Sequence, residues 1–226
     1  MFDWSKIHTV LLDMDGTLLD LHFDNHFWME HLPKRYAQQN NLSLIDAQNF
    51  LIPQFEKVAG TISWYCLDYW VEQLNLPVAE LKKEIQHLIK LRDDAHEFLS
   101  ALQDSGREVI LVTNAHPDSL SLKVEKTQLN QYFDQLISTH QFGVTKESQL
   151  LWQRLQQHLN FDNKSTLFVD DSLAILQSAQ DFGIEHILAV ANPDSQQAPR
   201  EINQFKSITD YSVLIESIKN NPFIAA

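Results

Sequence analysis

A doubly wound α/β fold with a parallel sheet and one all-helical insertion is the class this sequence predicts, and three observations predict it. Short apolar runs of strand length recur: TVLLDM from Thr9, which runs into the carboxylates Asp13 and Asp15, and VILVT from Val109 and TLFVD from Thr166, each closing on a polar residue. Helical patterns that stop at glycine alternate with the later runs. From about Leu21 to Arg92, by contrast, helical patterns follow one another with no convincing strand. Continuous apolar runs suit central parallel strands buried on both faces, and parallel strands need crossover helices between them.

The elements follow in chain order. The first strand lies around Thr9 to Met14. The insertion then places helices near Asn25 to Gln39, Leu44 to Val58, Ser63 to Leu74 and Val78 to Leu91, with Pro33 and Pro53 as kinks or breaks and Pro77 at a start. DAHEFLSALQDSG from Asp94 is a helix closed by Gly106, VILVT is a strand, and PDSLSLKVEKT from Pro117 is a helix. QLISTH near Gln135, TLFVD and HILAV near His186 are further strands, with SLAILQSAQDFG closing on Gly183 before the last. The alternation gives a Rossmann-like sheet with right-handed crossovers. The expected division is a core of residues 1–20 and 93–226 and a helical cap of residues 21–92. Open α/β sheets bind ligands beyond the carboxyl ends of their strands, so an insertion leaving the first strand there is expected to act as a lid.

Composition narrows the partners. A net charge of −13, with 17 Lys and Arg spread along the chain and no arginine-rich arm, opposes binding to a nucleic-acid polymer. Any anionic substrate must meet a local positive field from lysine, a metal or helix N-termini. No run approaches the ~20 apolar residues that span a bilayer, so no membrane partner and a cytoplasmic location are expected. The single cysteine, Cys66, excludes an intrachain disulfide and reads as a small packing residue. His22, His26 and His31 lack a zinc-ligand spacing.

The strand ends carry the chemistry. Asp13 and Asp15 follow the first strand, Thr113 and Asn114 the second, and Asp170 and Asp171 a later one. Carboxylates gathered at one sheet edge repel unless a hard cation sits among them, and Mg²⁺ takes few protein carboxylates while keeping waters and phosphate oxygens. The cluster implies a magnesium-phosphate site.

LLDMDGTLLD, LVTNA, VTKE and FVDDS, in that order, resemble the four motifs of the haloacid dehalogenase superfamily of phosphohydrolases. The resemblance implies that Asp13 is the nucleophile forming an aspartyl phosphate and Asp15 the general acid and base. It implies that Thr113, Asn114 and Lys146 bind the phosphoryl group. Mg²⁺ would be held by Asp13, the Asp15 carbonyl and Asp171, with Asp170 placed less firmly and reaching the metal through water. The sequence departs from the commoner Gly-Asp form of the last motif and has Ile175 where many members keep an acid.

Within the superfamily, Asp15 separates this chain from dehalogenases, which lack that acid, and from ion pumps, which carry threonine there. DMDGTLLDLHFDNHFW, SWYCLDYW, TNAHP, FVDDS and ANPDS are similar to bacterial nucleotidases acting on GMP and IMP, which implies a purine 5′-mononucleotide as the small-molecule substrate. A sugar-phosphate phosphatase, a phosphomutase and a catalytically silent regulatory protein are the alternatives. Asp20, Asp24 and Asp94 read as capping or turn residues. The aromatic set Phe23, Phe27, Trp28, Trp64, Tyr65, Tyr69 and Trp70 reads mostly as core, with a wall for stacking a base as the second reading.

Overall fold

The computed structural model describes residues 2–223. Six parallel strands, β1 (Thr9–Leu12), β2 (Glu108–Thr113), β3 (Gln135–Ser138), β4 (Thr166–Asp170), β5 (His186–Val190) and β6 (Lys206–Ile208), form one sheet in the order β3-β2-β1-β4-β5-β6. The strand order reverses at β1, which pairs Leu12 with Leu111 of β2 and with Val169 of β4. Open sheets of this winding bind ligands at that reversal, beyond the strand carboxyl ends. Asp13, Asn114 and Asp171 each lie one residue past a strand end at the reversal.

Side chains that alternate along each strand feed two cores. Val10, Leu12, Val109, Leu111, Leu167 and Val169 pack one face against α7 (Ala95–Asp104) and α11 (Ser212–Lys219). Leu11, Ile110, Val112 and Phe168 pack the other against α9 (Gln149–Leu159) and α10 (Leu173–Phe182). The expected strands and core helices are all present. Strand β6 and helices α9 and α11 were not foreseen: β6 has three residues, two of them exposed, so its pattern is too short to stand out.

Between β1 and β2 the described elements are helical, and they close on a third cluster around Phe23, Phe27, Leu51, Phe55, Trp70 and Leu81. Where one helix over Asn25 to Gln39 was expected, α1 (His22–His26) passes through a π-helical segment (Phe27–His31) into α2 (Leu32–Asn40). Pro33 explains the widening, because it cannot donate to the Met29 carbonyl and its ring crowds that turn. The side chain of Gln48 donates to that carbonyl instead, at 3.4 Å. Helix α3 (Leu44–Val58) has the expected bounds and runs through Pro53.

The expected helix over Ser63 to Leu74 is broken into α4 (Ile62–Tyr65) and α5 (Leu67–Leu74) by extended backbone at Cys66. Helix α6 (Val78–Glu84) ends earlier than expected, followed by a short 3-10 turn at Gln86–Leu88. The chain then straightens, and Leu91 bridges antiparallel to Leu19, joining the two ends of the insertion. Helix α8 (Pro117–Thr127) follows β2 with the expected start at proline.

Tyr211 ties the second layer to the loop after β1. Its ring stacks on Phe98 with centroids 4.2 Å apart, and its hydroxyl donates to the Thr17 carbonyl at 3.1 Å. Tyr211→Phe keeps the stack but leaves a buried carbonyl unpaired. Urea denaturation is expected to show a loss of about 1–3 kcal/mol, and an unchanged midpoint would mean that water replaces the bond.

Candidate active site

The loop Asp13 to Thr17 turns sharply back under β1. Gly16 has φ +82°, and a Cβ on it would sit 2.8 Å from the Asp171 carboxyl carbon. Glycine is therefore required twice here, for the backbone conformation and for the approach of Asp171. Asp13 is 6 % exposed and both its oxygens are engaged. Lys146 Nζ donates to Oδ1 at 2.5 Å and Thr17 Oγ1 donates to Oδ2 at 3.1 Å. The carboxylate is thus fixed in one orientation.

Lys146 is 1 % exposed and also donates to Asp170 Oδ2 at 2.7 Å. Burial alone would lower its pKa, but Asp13 and Asp170 outweigh burial and hold the ammonium charged. Asp170 spends its other oxygen on the Ser172 N–H, at 2.8 Å. Asp171 differs: its carboxylate has Arg200 Nη2 as a cationic neighbour, 3.6 Å away. Burial, then the charges of Asp170 and Asp13, push the Asp171 carboxyl well above the ordinary range.

Oxygens of Asp13, Asp170 and Asp171 lie within 4.8 Å of one another. An all-carboxylate set at this spacing suits a hard, oxygen-seeking divalent cation, which would relieve the repulsion among them. Asp171, with oxygens uncommitted to N–H donors, is the better placed of the two neighbours to ligate directly.

Thr113 and Asn114 stand at the end of β2, both nearly buried. The Thr113 hydroxyl oxygen accepts from the Ala115 N–H at 3.0 Å, leaving its own proton to donate. Asn114 is committed to protein partners. Its Oδ1 accepts from Thr139 Oγ1 and the Lys146 N–H, at 2.9 and 3.0 Å, and its Nδ2 donates to Glu147 at 3.0 Å. Its side chain thus positions the loop that carries Lys146.

Asp15 meets a cation that sequence reasoning missed. Lys123 Nζ lies 2.6 Å from Asp15 Oδ1, off the hydrogen-bonding direction, and donates to Asp24 Oδ2 at 2.6 Å. Lys82 donates to the other oxygen of Asp24 at 2.7 Å. Asp24 is accordingly no capping residue, as was expected, but a buried bridge from the insertion to the core. Asp20 does accept from the His22 and Ser195 N–H groups as a turn former. Asp94 stands at the α7 N-cap position, but its carboxylate takes Arg92 and the Tyr211 N–H, with no capping bond.

A sequence signal for both lysines existed. The buried positions of α8 are Ser119, Leu122 and Lys123, and those of α6 are Val78, Leu81 and Lys82. In each helix a lysine occupies the i+4 place of a buried i, i+3, i+4 face, apolar in α6 and with Ser119 beside Leu122 in α8, where a cation needs a buried partner.

One cavity of about 310 Å³ collects these groups: Asp13, Asp15, Asp24, Asp170, Asp171, Lys82, Lys123, Lys146 and Thr113. Its far wall is aromatic, with Trp28, Trp64 and Tyr65 lining it, while Phe23, Phe27 and Trp70 are core behind them. The core reading thus holds for Phe23, Phe27 and Trp70, while Trp28, Trp64 and Tyr65 face the cavity. The Tyr65 hydroxyl donates to Glu147 at 3.0 Å, joining this wall to the Lys146 loop.

Residues 7–183 match the family model of the haloacid dehalogenase-like hydrolases. GMP/IMP nucleotidase YrfG of Escherichia coli (strain K12) is 45% identical over 215 residues, covering 95% of this chain and 97% of that protein. A HAD phosphatase from Thermococcus onnurineus superimposes with a TM-score of 0.79 at 19% identity, over 96% of this chain and 100% of that one. A putative β-phosphoglucomutase from Thermotoga maritima does so at 0.65 and 18%, over 95% and 99%.

Burial, opposed by Lys146 and Lys123 respectively, pushes Asp13 and Asp15 up to about 6. The ordinary value is 3.8, so between about pH 4 and 6 the folded chain binds protons that the unfolded chain has lost, and cation-free stability falls as pH rises through this window. Asp24 acts in the opposite sense, because Lys123 and Lys82 overcome burial and hold it below the ordinary range, but only under about pH 4. Added Mg²⁺ is expected to raise Tm more at pH 8 than at pH 5 by scanning fluorimetry. Asp171→Asn should raise the cation-free Tm at pH 8 and remove most of the Mg²⁺ shift, with Asp170→Asn removing less. A pH-independent shift, or the reverse ranking, would contradict this site.

Proposed function

The chain belongs to the haloacid dehalogenase-like hydrolase family, and from that membership we propose a cytoplasmic, Mg²⁺-dependent phosphatase that hydrolyses purine 5′-mononucleotides, GMP and IMP foremost, to nucleoside and phosphate. The observation that carries the reading is that a buried Asp13–Lys146 pair and an aromatic wall line the same cavity. The 45% identity to a GMP/IMP nucleotidase over nearly the whole chain supports the substrate class.

Each residue then has a chemical task. Asp13, oriented by Lys146 and Thr17, attacks phosphorus and forms an aspartyl phosphate as the bond to the 5′-oxygen breaks. Asp15 gives its proton to that leaving oxygen. A carboxyl whose pKa is pushed up to about 6 keeps enough of its acid form near neutral pH to do so. Once ionised, Asp15 takes a proton from the water that cleaves the aspartyl phosphate, and Lys123 beside it stabilises the carboxylate in that interval. Thr113 and Lys146 hold phosphoryl oxygens, and Asn114 keeps Lys146 in place.

Mg²⁺ would be held by Asp13, Asp171 and the Asp15 carbonyl, with Asp170 beyond a water, and would neutralise charge on the transferring group. The insertion, residues 21–92, serves as the lid over a core of residues 1–20 and 93–226. Trp28, Trp64 and Tyr65 offer faces on which a base stacks, worth ~1–3 kcal/mol, and this remote end must supply selectivity because every monoester shares the phosphate contacts.

Asp13→Asn is expected to fold normally and to show no multiple-turnover phosphate release. Asp15→Asn should lose roughly 10² to 10⁴ in rate on nucleotides, and less on aryl phosphates, whose leaving groups need no proton. Equal losses on both would remove the acid role from Asp15.

For the substrate class, kcat/KM under one Mg²⁺ concentration should rank GMP and IMP above AMP by about tenfold or more, because the C6 oxygen they share is an amine in AMP. UMP and glucose 6-phosphate should rank lower still. A preference for either of these would leave a phosphatase and remove the purine assignment.

A further inference from the structure

The fold places a second set of ligand-type side chains beside the cavity without using it for the chemistry above. Cys66 stands in the extended break between α4 and α5, on the insertion. His116 N-caps α8, and His140 lies in the short 3-10 turn Thr139–Phe142 after β3, both on the core. One ligand atom from each lies within 4.8 Å of the other two, and the two imidazole rings meet edge to face with centroids 5.1 Å apart.

The polar bookkeeping of this cluster does not close. His140 Nε2 is buried and has no hydrogen-bond partner, which is uncommon for an imidazole nitrogen. Burial, with the charge of His116 added, holds the ring below the ordinary histidine pKa against the pull of the Asn114 backbone, so at neutral pH it is uncharged with a lone pair to offer. His116 sits between acceptor and donor: its Nδ1 accepts from the Asp118 N–H at 3.2 Å, and its Nε2 is 3.6 Å from the Asp68 carboxylate. Asp68 is exposed and lies in the first turn of α5, two residues after Cys66.

We propose that Cys66, His116 and His140 form a binding site for a borderline-soft divalent cation of the Zn²⁺ class, separate from the carboxylate site, with Asp68 or water in fourth place. Thiolate and imidazole select such a cation over Mg²⁺, which prefers oxygen. Bond lengths of about 2.0 Å to nitrogen and 2.3 Å to sulfur put two nitrogens and one sulfur in a tetrahedral set about 3.3–3.5 Å apart. From separations of 4.8 Å or less, the three atoms therefore need to close by at most about 1.5 Å, a change within reach of side-chain rotation.

Binding deprotonates the Cys66 thiol, forms the metal–sulfur bond and releases one proton to solvent. His116 gives up the long Asp118 bond, either to ligate through Nδ1 or to move its proton there and ligate through Nε2. Two ligands come from the core and one from the insertion, so the occupied site ties the insertion down over the cavity. The last consequence rests on the lid reading. The site itself does not.

Co²⁺, a spectroscopic stand-in for Zn²⁺, tests the site in the full chain with Mg²⁺ in excess to fill the carboxylates. The wild type is expected to bind one equivalent with a thiolate-to-cobalt charge-transfer band, which Zn²⁺ bleaches by displacement. Cys66→Ser should abolish the band. His140→Asn should weaken Co²⁺ binding by about tenfold or more while circular dichroism stays unchanged, and Cys66→Ser should raise the Zn²⁺ dissociation constant by a similar factor should His140→Asn fold poorly. Asp171→Ala should leave the band intact.

No charge-transfer band at one equivalent, Zn²⁺ affinity unaltered by Cys66→Ser, or a band lost with Asp171→Ala would overturn the proposal. None of these readings involves phosphate release, so a wrong substrate class would not be confused with a wrong metal site.

Discussion

Like-charge repulsion is the constraint around which this molecule is arranged. Five carboxylates and three ammonium groups line one cavity and leave it a formal charge of −2. Removing such groups from water is costly unless each finds an opposite charge, and breaking one buried pair strands its partner. The strand reversal at β1 brings the acids together, and helices from two different layers bring lysines to them. A divalent cation would close the balance to zero. A dianionic phosphate would reopen it, and a proton on Asp15 is one way the site can answer.

The supports of this cluster reach well beyond it. Tyr211 braces the Thr17 carbonyl, and Thr17 in turn fixes one oxygen of Asp13. Asn114 at the end of β2 holds the main chain of Lys146, while Glu147 accepts from both Asn114 and Tyr65. Thr145, next in the same loop, donates to the Gly60 carbonyl of the insertion at 3.0 Å. The loop that presents the central lysine is thus the one that the insertion grips, so movement of the insertion and placement of that lysine share their contacts.

Much of this was legible in the sequence for definite physical reasons. Buried parallel strands are continuous apolar runs, so β1, β2, β4 and β5 announced themselves, and the polar residues closing them located the site. What stayed hidden depended on partners distant in the chain. A lysine in a helix is usually solvated, and only the apolar face around it marks Lys123 and Lys82 as buried; nothing local names Asp24 as the residue they share. Asp170 and Asp171 are adjacent and chemically identical, yet one is spent on Lys146 and Ser172 while the other is open. The lone cysteine read as packing because its two histidine neighbours come from elements 50 and more residues away. The π-helical turn could have been anticipated from Pro33, but the acceptor it frees is met by Gln48, which no local pattern indicates.

The bridge between Leu19 and Leu91 carries a consequence for descent as well as for form. The chain leaves the sheet and returns to it at adjoining points, as inserted units must if the host is to keep its shape. Everything between is a graft whose stem is closed, with its own apolar interior around Phe55 and Trp70. Drift in the graft leaves Asp13, Lys146 and the sheet untouched, except where contacts reach across: Asp24 to Lys123, Tyr65 to Glu147 and the Gly60 carbonyl to Thr145. A lineage can therefore exchange the aromatic wall of the cavity while inheriting its carboxylate end, and those crossing contacts are where the inheritance would be renegotiated.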